Sequence, residues 1–260
     1  MTFQIVSARD PRMNHTPPDN TISVALPRTS ARVWLLRVIW LLAAGCAFLL
    51  ILPYVLTPFY RVVDPVSTLM LWRWATRARV ERVVTPIDVL APTLPRTVIA
   101  AEDARFCSHH GIDFDELRGV LKAEADGVRR PRGASSITQQ LAKNLFLWPG
   151  HSYLRKVLEF PLALWIDFVI PKRRQVEIYL NIAEWGPNGE FGAEAGARRA
   201  FGKPAAGLSA SEAALLAATL PNPIRRDARR PSAGLRRLAA IYTVRAASGA
   251  DIDRCVRTAR

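Results

Sequence analysis

Residues 99–113 read Ile-Ala-Ala-Glu-Asp-Ala-Arg-Phe-Cys-Ser-His-His-Gly-Ile-Asp. An apolar approach from Val98 to Ala101 ends in two adjacent acids, Glu102 and Asp103. Two histidines, a glycine and Asp113 follow within the same short segment. A carboxylate seated against apolar neighbours has its pKa pushed up, which is one way a catalytic acid or base is tuned. The same residues also suit a helix end with solvated charges, followed by a newly capped helix, because structural ion pairs gather charge without doing chemistry. Immediately downstream, Phe114, Leu117, Leu121 and Ala125 recur at helical spacing. Asp113 with Glu116 fits an N-cap and its reciprocal acid, so Asp113 has a structural role in either case.

The rest of the 260-residue chain decides between these readings. Half of it is hydrophobic, enough for one sizeable domain with an anchor or tail, and its formal net charge is +14. That charge calls for an anionic partner, either nucleic acid or a lipid phosphate surface. Three cysteines make no disulfide framework. Cys46 lies in an apolar run, Cys107 and Cys255 are the conceivable pair, and free or incidental thiols are expected. Cysteine usage does not fix the compartment.

Residues 38–56 are almost wholly apolar, about the length needed to cross a bilayer, with Trp34, Trp40, Tyr54 and Tyr60 near the ends. The run is long for a secretory signal and lacks a small-x-small cleavage site. A buried core helix is the other rival. Arg28, Arg32 and Arg37 crowd the N-terminal side, and only Arg61 follows closely. The positive-inside rule then puts the N-terminus in the cytoplasm and everything after residue 60 outside. Most of the basic residues therefore face a compartment without nucleic acid, and lipid headgroups or lipid-linked phosphates become the expected partners. Five segments are expected: a disordered cytoplasmic tail (1–32), a transmembrane anchor (33–60), a juxtamembrane segment (61–84), a catalytic domain (85–230) and a basic helical C-terminal segment (231–260). In the juxtamembrane segment Arg73, Arg77, Arg79 and Arg82 interleave with Trp72 and Trp74, a pattern suited to a lipid surface.

Further along, a basic loop with helix breakers (126–133) precedes Ser135-Ser136-Ile137-Thr138-Gln139-Gln140. Ile137, Leu141 and Leu145 mark a buried helix face, leaving Gln140, Lys143 and Asn144 elsewhere on the helix. A turn leading into such a helix start can hold an anion, or can simply be an N-capped amphipathic helix. Arg155-Lys156 and Glu159 open a long helical region in which Pro161 is expected to bend or break the helix. Ser209 with Glu212 is a capping box. His110 is expected to be exposed, and Glu177 and Glu184 read as helix-surface acids. No strand-period alternation stands out, so the domain is expected to be mostly α.

The order of these motifs resembles the monofunctional biosynthetic peptidoglycan glycosyltransferases, glycosyltransferase family 51, related to the glycosyltransferase domain of class A penicillin-binding proteins. The resemblance is carried by Glu102-Asp103-x-x-Phe106-x-x-His109-x-Gly111-x-Asp113, by residues 133–140 with Lys143-Asn144, and by Arg155-Lys156-x-x-Glu159. Glu177-x-Tyr179-Leu180-Asn181 and the segments from Phe191-Gly192 to Pro221-Asn222-Pro223 continue it. It covers residues 85–230. Ser136 stands where the family usually has Thr, and Pro161 is unusual.

The resemblance implies a lysozyme-like helical lobe with a smaller membrane-associated lobe, to which residues 114–132 contribute. It implies a bacterial inner-membrane enzyme, single-pass, with a periplasmic catalytic domain. That enzyme would polymerise lipid II into β-1,4-linked glycan strands with inversion and release of undecaprenyl diphosphate. Glu102 would be the general base. Lys143, Arg155 and Lys156 would clamp the diphosphate. Glu159, the second essential acid, would orient those cations, hold a divalent cation (Mg or Mn), or stabilise developing positive charge. Asp103, Phe106, His109, Ser136 and Gln140 are further substrate-site candidates, with Tyr179 and Asn181 in support. Cell-division or elongation proteins are possible partners, and nucleic acid is not expected. A lytic glycan hydrolase and a catalytically silent membrane scaffold are the rival readings. The cationic motifs argue against the first, and the presence of both acids argues against the second. The short chain has no Ser-x-x-Lys motif, so transpeptidation is expected to be absent.

Overall fold

The computed structural model describes residues 31–127, 135–150, 152–249 and 251–257. The expected tail lies outside the described residues up to residue 30, as does the basic loop apart from Asp126 and Gly127. The described residues divide into two units between Ala47 and Phe48. Helix α1 (Ala31–Leu56) runs without a break through Pro53 and ends in a 3-10 turn, Thr57–Arg61. The stretch Ala31–Arg61 is long and apolar enough to cross a membrane, and none of its most apolar window is buried.

The second unit is built from short helices. They are α2 (Thr68–Ala75), α3 (Thr93–Glu102), α4 (Phe114–Ala125), α5 (Ile137–Phe146) and α6 (Tyr153–Val169). After them come α7 (Lys172–Ile182), α8 (Ala193–Phe201), α9 (Ala210–Ala217) and α10 (Ala233–Ser248). The fold class is mostly α, as the sequence predicts. Among the described residues the sheet is one parallel pair, β1 (Glu81–Arg82) with β2 (Glu190–Phe191). Two-residue strands are too short to leave an alternating pattern.

α3 is the organising element. Leu94, Val98 and Ile99 are completely buried, and α9 and α10 both pack on it. The small side chains Ala213, Ala214 and Ala217 of α9 are also fully buried and permit close approach. α10 adds Leu235, Ala239 and Tyr242 to the core. α10 thus shares one core with α3 and α9. On the other side α5 packs on α6 and α7, burying Ile137, Leu141 and Leu145 as the spacing predicts. Thr138 Oγ1 donates to Gln175 Oε1 at 2.7 Å, fixing α5 on α7. Asn181 clamps the segment before α3, accepting from Thr85 N at 2.8 Å and donating to Thr85 O at 2.9 Å.

Several expectations need correction. Cys107 and Cys255 are joined in a disulfide across 148 residues, with Cα atoms 5.4 Å apart, and are not incidental thiols. Cross-links of this kind stabilise a fold by about 2–4 kcal/mol. Pro161 does not break α6. It sits on the exposed face, where the carbonyl that lost its partner can reach solvent. α4 starts at its Asp113 cap, but Phe114 and Leu121 are exposed and only Ala123 is buried, so its apolar face is not core. Arg73 and Arg82 turn away from a lipid-facing role: Arg73 pairs with buried Glu184, and Arg82 donates to Pro65 O at 2.6 Å. Trp72 and Trp74 do stay exposed. Glu177 is also structural, accepting from Ile87 N at 2.9 Å and pairing with Arg174. His110 is exposed, as expected.

Gly111 allows the turn after α3 to close on α6. Its φ is +74°, and a Cβ there would lie 2.7 Å from Ala163 O. Gly111→Ala therefore combines left-handed strain with a backbone clash, and we expect a loss of about 2 kcal/mol or more. For a domain of this size thermal unfolding should fall by about 4–8 °C. An unchanged Tm would refute this account of the turn.

Candidate active site

Glu102 closes α3 where the chain leaves the core. Gln140 of α5 donates from Nε2 to Glu102 Oε2 at 2.8 Å. The Gln140 carbonyl accepts from the Tyr179 hydroxyl of α7, also at 2.8 Å. Tyr179 thereby fixes the amide so that its NH₂ faces the carboxylate. Burial pushes the Glu102 carboxyl up, and the Gln140 hydrogen bond and the Lys143 and Arg226 charges offset part of that rise. Burial, and then the Glu102 charge, hold the Tyr179 hydroxyl well above its usual range, so it remains a donor.

Asp103 points into the protein. His109 Nε2 lies 2.9 and 3.0 Å from its two oxygens, and Oδ2 accepts the Ile137 backbone N–H at 3.0 Å. Because Ile137 begins α5, this acid ties the turn after α3 to that helix. Ser136 makes a capping box with Gln139 and donates from Oγ to Gly111 O. Phe106 is completely buried, edge-on to His109, with the Lys172 ammonium 4.3 Å from its ring centre. Asp103, Phe106, His109 and Ser136 therefore brace the turn and helix that carry Glu102 and Gln140.

A cationic cluster faces this acid. Glu159 of α6 is buried and engaged through both oxygens. Oε1 meets Arg155, and Oε2 meets Lys156 Nζ at 2.9 Å. Lys156 Nζ also donates to Ser135 Oγ at 2.8 Å. Lys143 of α5 feels the charges of both groups, Glu102 as well as Arg155, Glu159 and Lys156. Burial first, then the Arg155 charge, lower its pKa. Among the described residues, Arg155 Nε is buried without a hydrogen-bond partner.

A cavity of about 250 Å³ opens beside Glu102, lined also by Arg105, Asp113, Ser135, Ser136 and Arg245. A larger cavity of about 790 Å³ lies against the C-terminal segment and holds none of the acids or cations above. Sequence reasoning missed Arg226, Tyr242 and Arg245. The helical pattern that holds Tyr242 and Arg245 and the arginine-rich character around Arg226 are visible, but nothing marks which of these side chains reaches the Glu102 cleft.

The donor set does not fit a divalent cation. Asp103, His109 and Asp113 have ligand atoms within 4.8 Å of one another. Asp103 is already held by His109 and Ile137, while Asp113 accepts from Glu116 N at 3.0 Å and pairs with Arg105. Both Glu159 oxygens face cations.

A family profile described as Transglycosylase matches residues 70–245. The chain is 61% identical over 212 residues to the biosynthetic peptidoglycan transglycosylase of Nitrobacter hamburgensis, covering 82% of this chain and 93% of that protein. It is 59% identical over 234 residues to the protein of the same name from Rhodopseudomonas palustris (strain TIE-1), covering 90% and 96%. Against that of Agrobacterium fabrum it is 49% identical over 210 residues, covering 80% and 92%.

Proposed function

The chain belongs to the biosynthetic peptidoglycan transglycosylase family, and on that premise we propose that it polymerises lipid II at the outer face of the inner membrane. The observation that carries this reading is the placement of one half-buried, upward-shifted carboxyl, Glu102, next to the Lys143, Arg155 and Lys156 cluster. Glycosyl transfer from a lipid diphosphate needs one base and one anion clamp. Glu102 takes the proton from the acceptor 4-hydroxyl as that oxygen attacks the donor anomeric carbon. The bond from that carbon to the diphosphate oxygen breaks, and the electron pair leaves with the diphosphate. Attack from the face opposite the leaving group inverts the centre to a β-1,4 link. Lys143, Arg155 and Lys156 stabilise the departing charge, the arginine through forked contacts. Glu159 orients two of those cations, because both its oxygens are already used in doing so. Transpeptidation is outside the activity proposed for these residues.

The apolar span Ala31–Arg61, with arginines crowding its N-terminal side, supports a single-pass anchor with the N-terminus in the cytoplasm. The Cys107–Cys255 bond independently supports an oxidising compartment for the catalytic unit.

The test is incubation of the full-length protein, solubilised in detergent, with labelled lipid II. The expected result is long β-1,4 strands with release of undecaprenyl diphosphate. Shortening of preformed strands without polymerisation would establish the lytic alternative instead.

A further inference from the structure

The turn that follows Glu102 is fastened to the far end of the chain at several points. Cys107 lies between Phe106 and His109 in that turn and is bonded to Cys255. Arg96, on α3 two turns before Glu102, reaches the same region with a three-way fork. It donates to Ala246 O at 2.7 Å, to Gly249 O at 2.8 Å and to Asp253 Oδ1 at 2.9 Å. Asp253 is buried, so this pair is shielded from solvent. From α7, Arg173 donates to Val256 O at 2.6 Å. The fastened segment follows α10 directly, and α10 packs on α3 and presents Arg245 to the Glu102 cavity.

We propose that the Cys107–Cys255 disulfide and the Arg96 fork act together as a clasp that positions α10 as one wall of the Glu102 cleft. A staple serving stability alone would work between any two distant surfaces. This one joins the turn that follows the base to the end of the helix that walls it, and Arg96 repeats the same connection without a covalent bond. The inference rests on reading Glu102 as the base of glycosyl transfer. Held closed, the wall limits the water that reaches the carboxyl, and the burial that raises Glu102 depends on that limit. The groups facing Glu102 come from every packed element. Asp103 is its chain neighbour, Gln140 and Lys143 come from α5, Tyr179 from α7, Arg226 from the loop after α9, and Tyr242 and Arg245 from α10. Of these groups, the clasp holds the last pair in place through α10, and so governs the water they exclude. These are positioning residues, since neither cysteine nor Arg96 reaches the substrate.

The experiment compares the wild type with the Cys107→Ser/Cys255→Ser double variant and with Arg96→Lys, which keeps the charge but loses the fork. Lipid II turnover is measured against pH, and amide exchange is followed over residues 233–248. In the double variant we expect the acid limb of the profile to move down toward the ordinary carboxylate range. We also expect kcat to fall about tenfold with KM little changed, and α10 amides to exchange faster while α5 amides do not. Arg96→Lys should move all three in the same direction by less. A lowered Tm with an unchanged pH profile, an unchanged kcat and unaltered α10 exchange would overturn the proposal and leave a simple staple. Carbon-13 NMR titration of the Glu102 carboxyl reads the same effect without turnover. A wild type that titrates high and makes no glycan therefore refutes the transferase reading, while a fall in the double variant still supports the clasp.

Discussion

Glu102→Gln abolishes glycan polymerisation while the protein folds at least as well as the wild type. The two halves of this expectation have one cause. Burial raises the Glu102 carboxyl, which means that the ionised form is disfavoured in the fold. In the pH window between its ordinary and its raised value, the native state holds a proton that the unfolded chain releases. Stability contributed by this group is therefore present at low pH and is lost as pH rises through that window. A neutral amide of the same size removes the penalty, and its carbonyl can still accept from Gln140 Nε2. Catalysis moves in the opposite direction. The base works only when ionised, so turnover in the wild type should fall as pH drops through the raised value, above the range of an exposed carboxylate. The amide cannot accept the hydroxyl proton at any pH, and a positioned base contributes about 10²–10⁴ in rate. A variant that keeps more than about a tenth of wild-type polymerisation would sink the assignment. So would a variant that unfolds many degrees early, because the carboxylate would then be structural.

The motif turn was legible in the sequence because its residues are local. Glu102 at a helix end, Asp113 as a cap and the Ile137/Leu141/Leu145 face follow from patterns within one or two helical turns. The apolar span is legible for the same reason. What local pattern could not supply were the partners. The pairing of Asp103 with His109 is six residues long, but its third member, the Ile137 N–H, is 34 residues away. The chain from Tyr179 through Gln140 to Glu102 joins three helices, and periodicity places each of them without saying which side chains meet. Arg226 and Arg245 were hidden by abundance: in a chain with 36 lysines and arginines, one more basic residue carries little information.

Two misreadings have the same physical root. Cys107 and Cys255 are separated by 148 residues, so their pairing depends on where α10 ends in space, which composition does not encode. Glu184 comes just after the α7 pattern and reads as a helix-surface acid. In the fold it is buried against Arg73, and burial raises its carboxyl. Both show that long-range packing, rather than local propensity, decided which charged or reactive side chains became structural.

Glu159→Ala is expected to cost both the fold and the activity, and an anion should restore part of the fold. Glu159 is 3% exposed and meets Arg155 and Lys156 with separate oxygens. Removing the acid leaves Arg155 buried, with one nitrogen that already lacks a partner among the described residues. Breaking a buried pair in this way costs about 3–5 kcal/mol, far more than the intact pair contributes over an apolar replacement, because one charge is stranded. For a domain of this size the midpoint of thermal unfolding should drop by roughly 10 °C. Lys156, which is more exposed, loses an anchor but not its solvation, so the damage centres on Arg155. If the pair exists to hold a diphosphate clamp in place, the stranded cations should accept another anion. Millimolar inorganic pyrophosphate should then raise the Tm of Glu159→Ala more than that of the wild type, since ligand binding stabilises by mass action. Glu159→Gln keeps the volume and one acceptor, so it should unfold at an intermediate temperature. An alanine variant with a wild-type Tm would end the buried-pair argument. Equal pyrophosphate shifts in variant and wild type would detach Glu159 from the clamp.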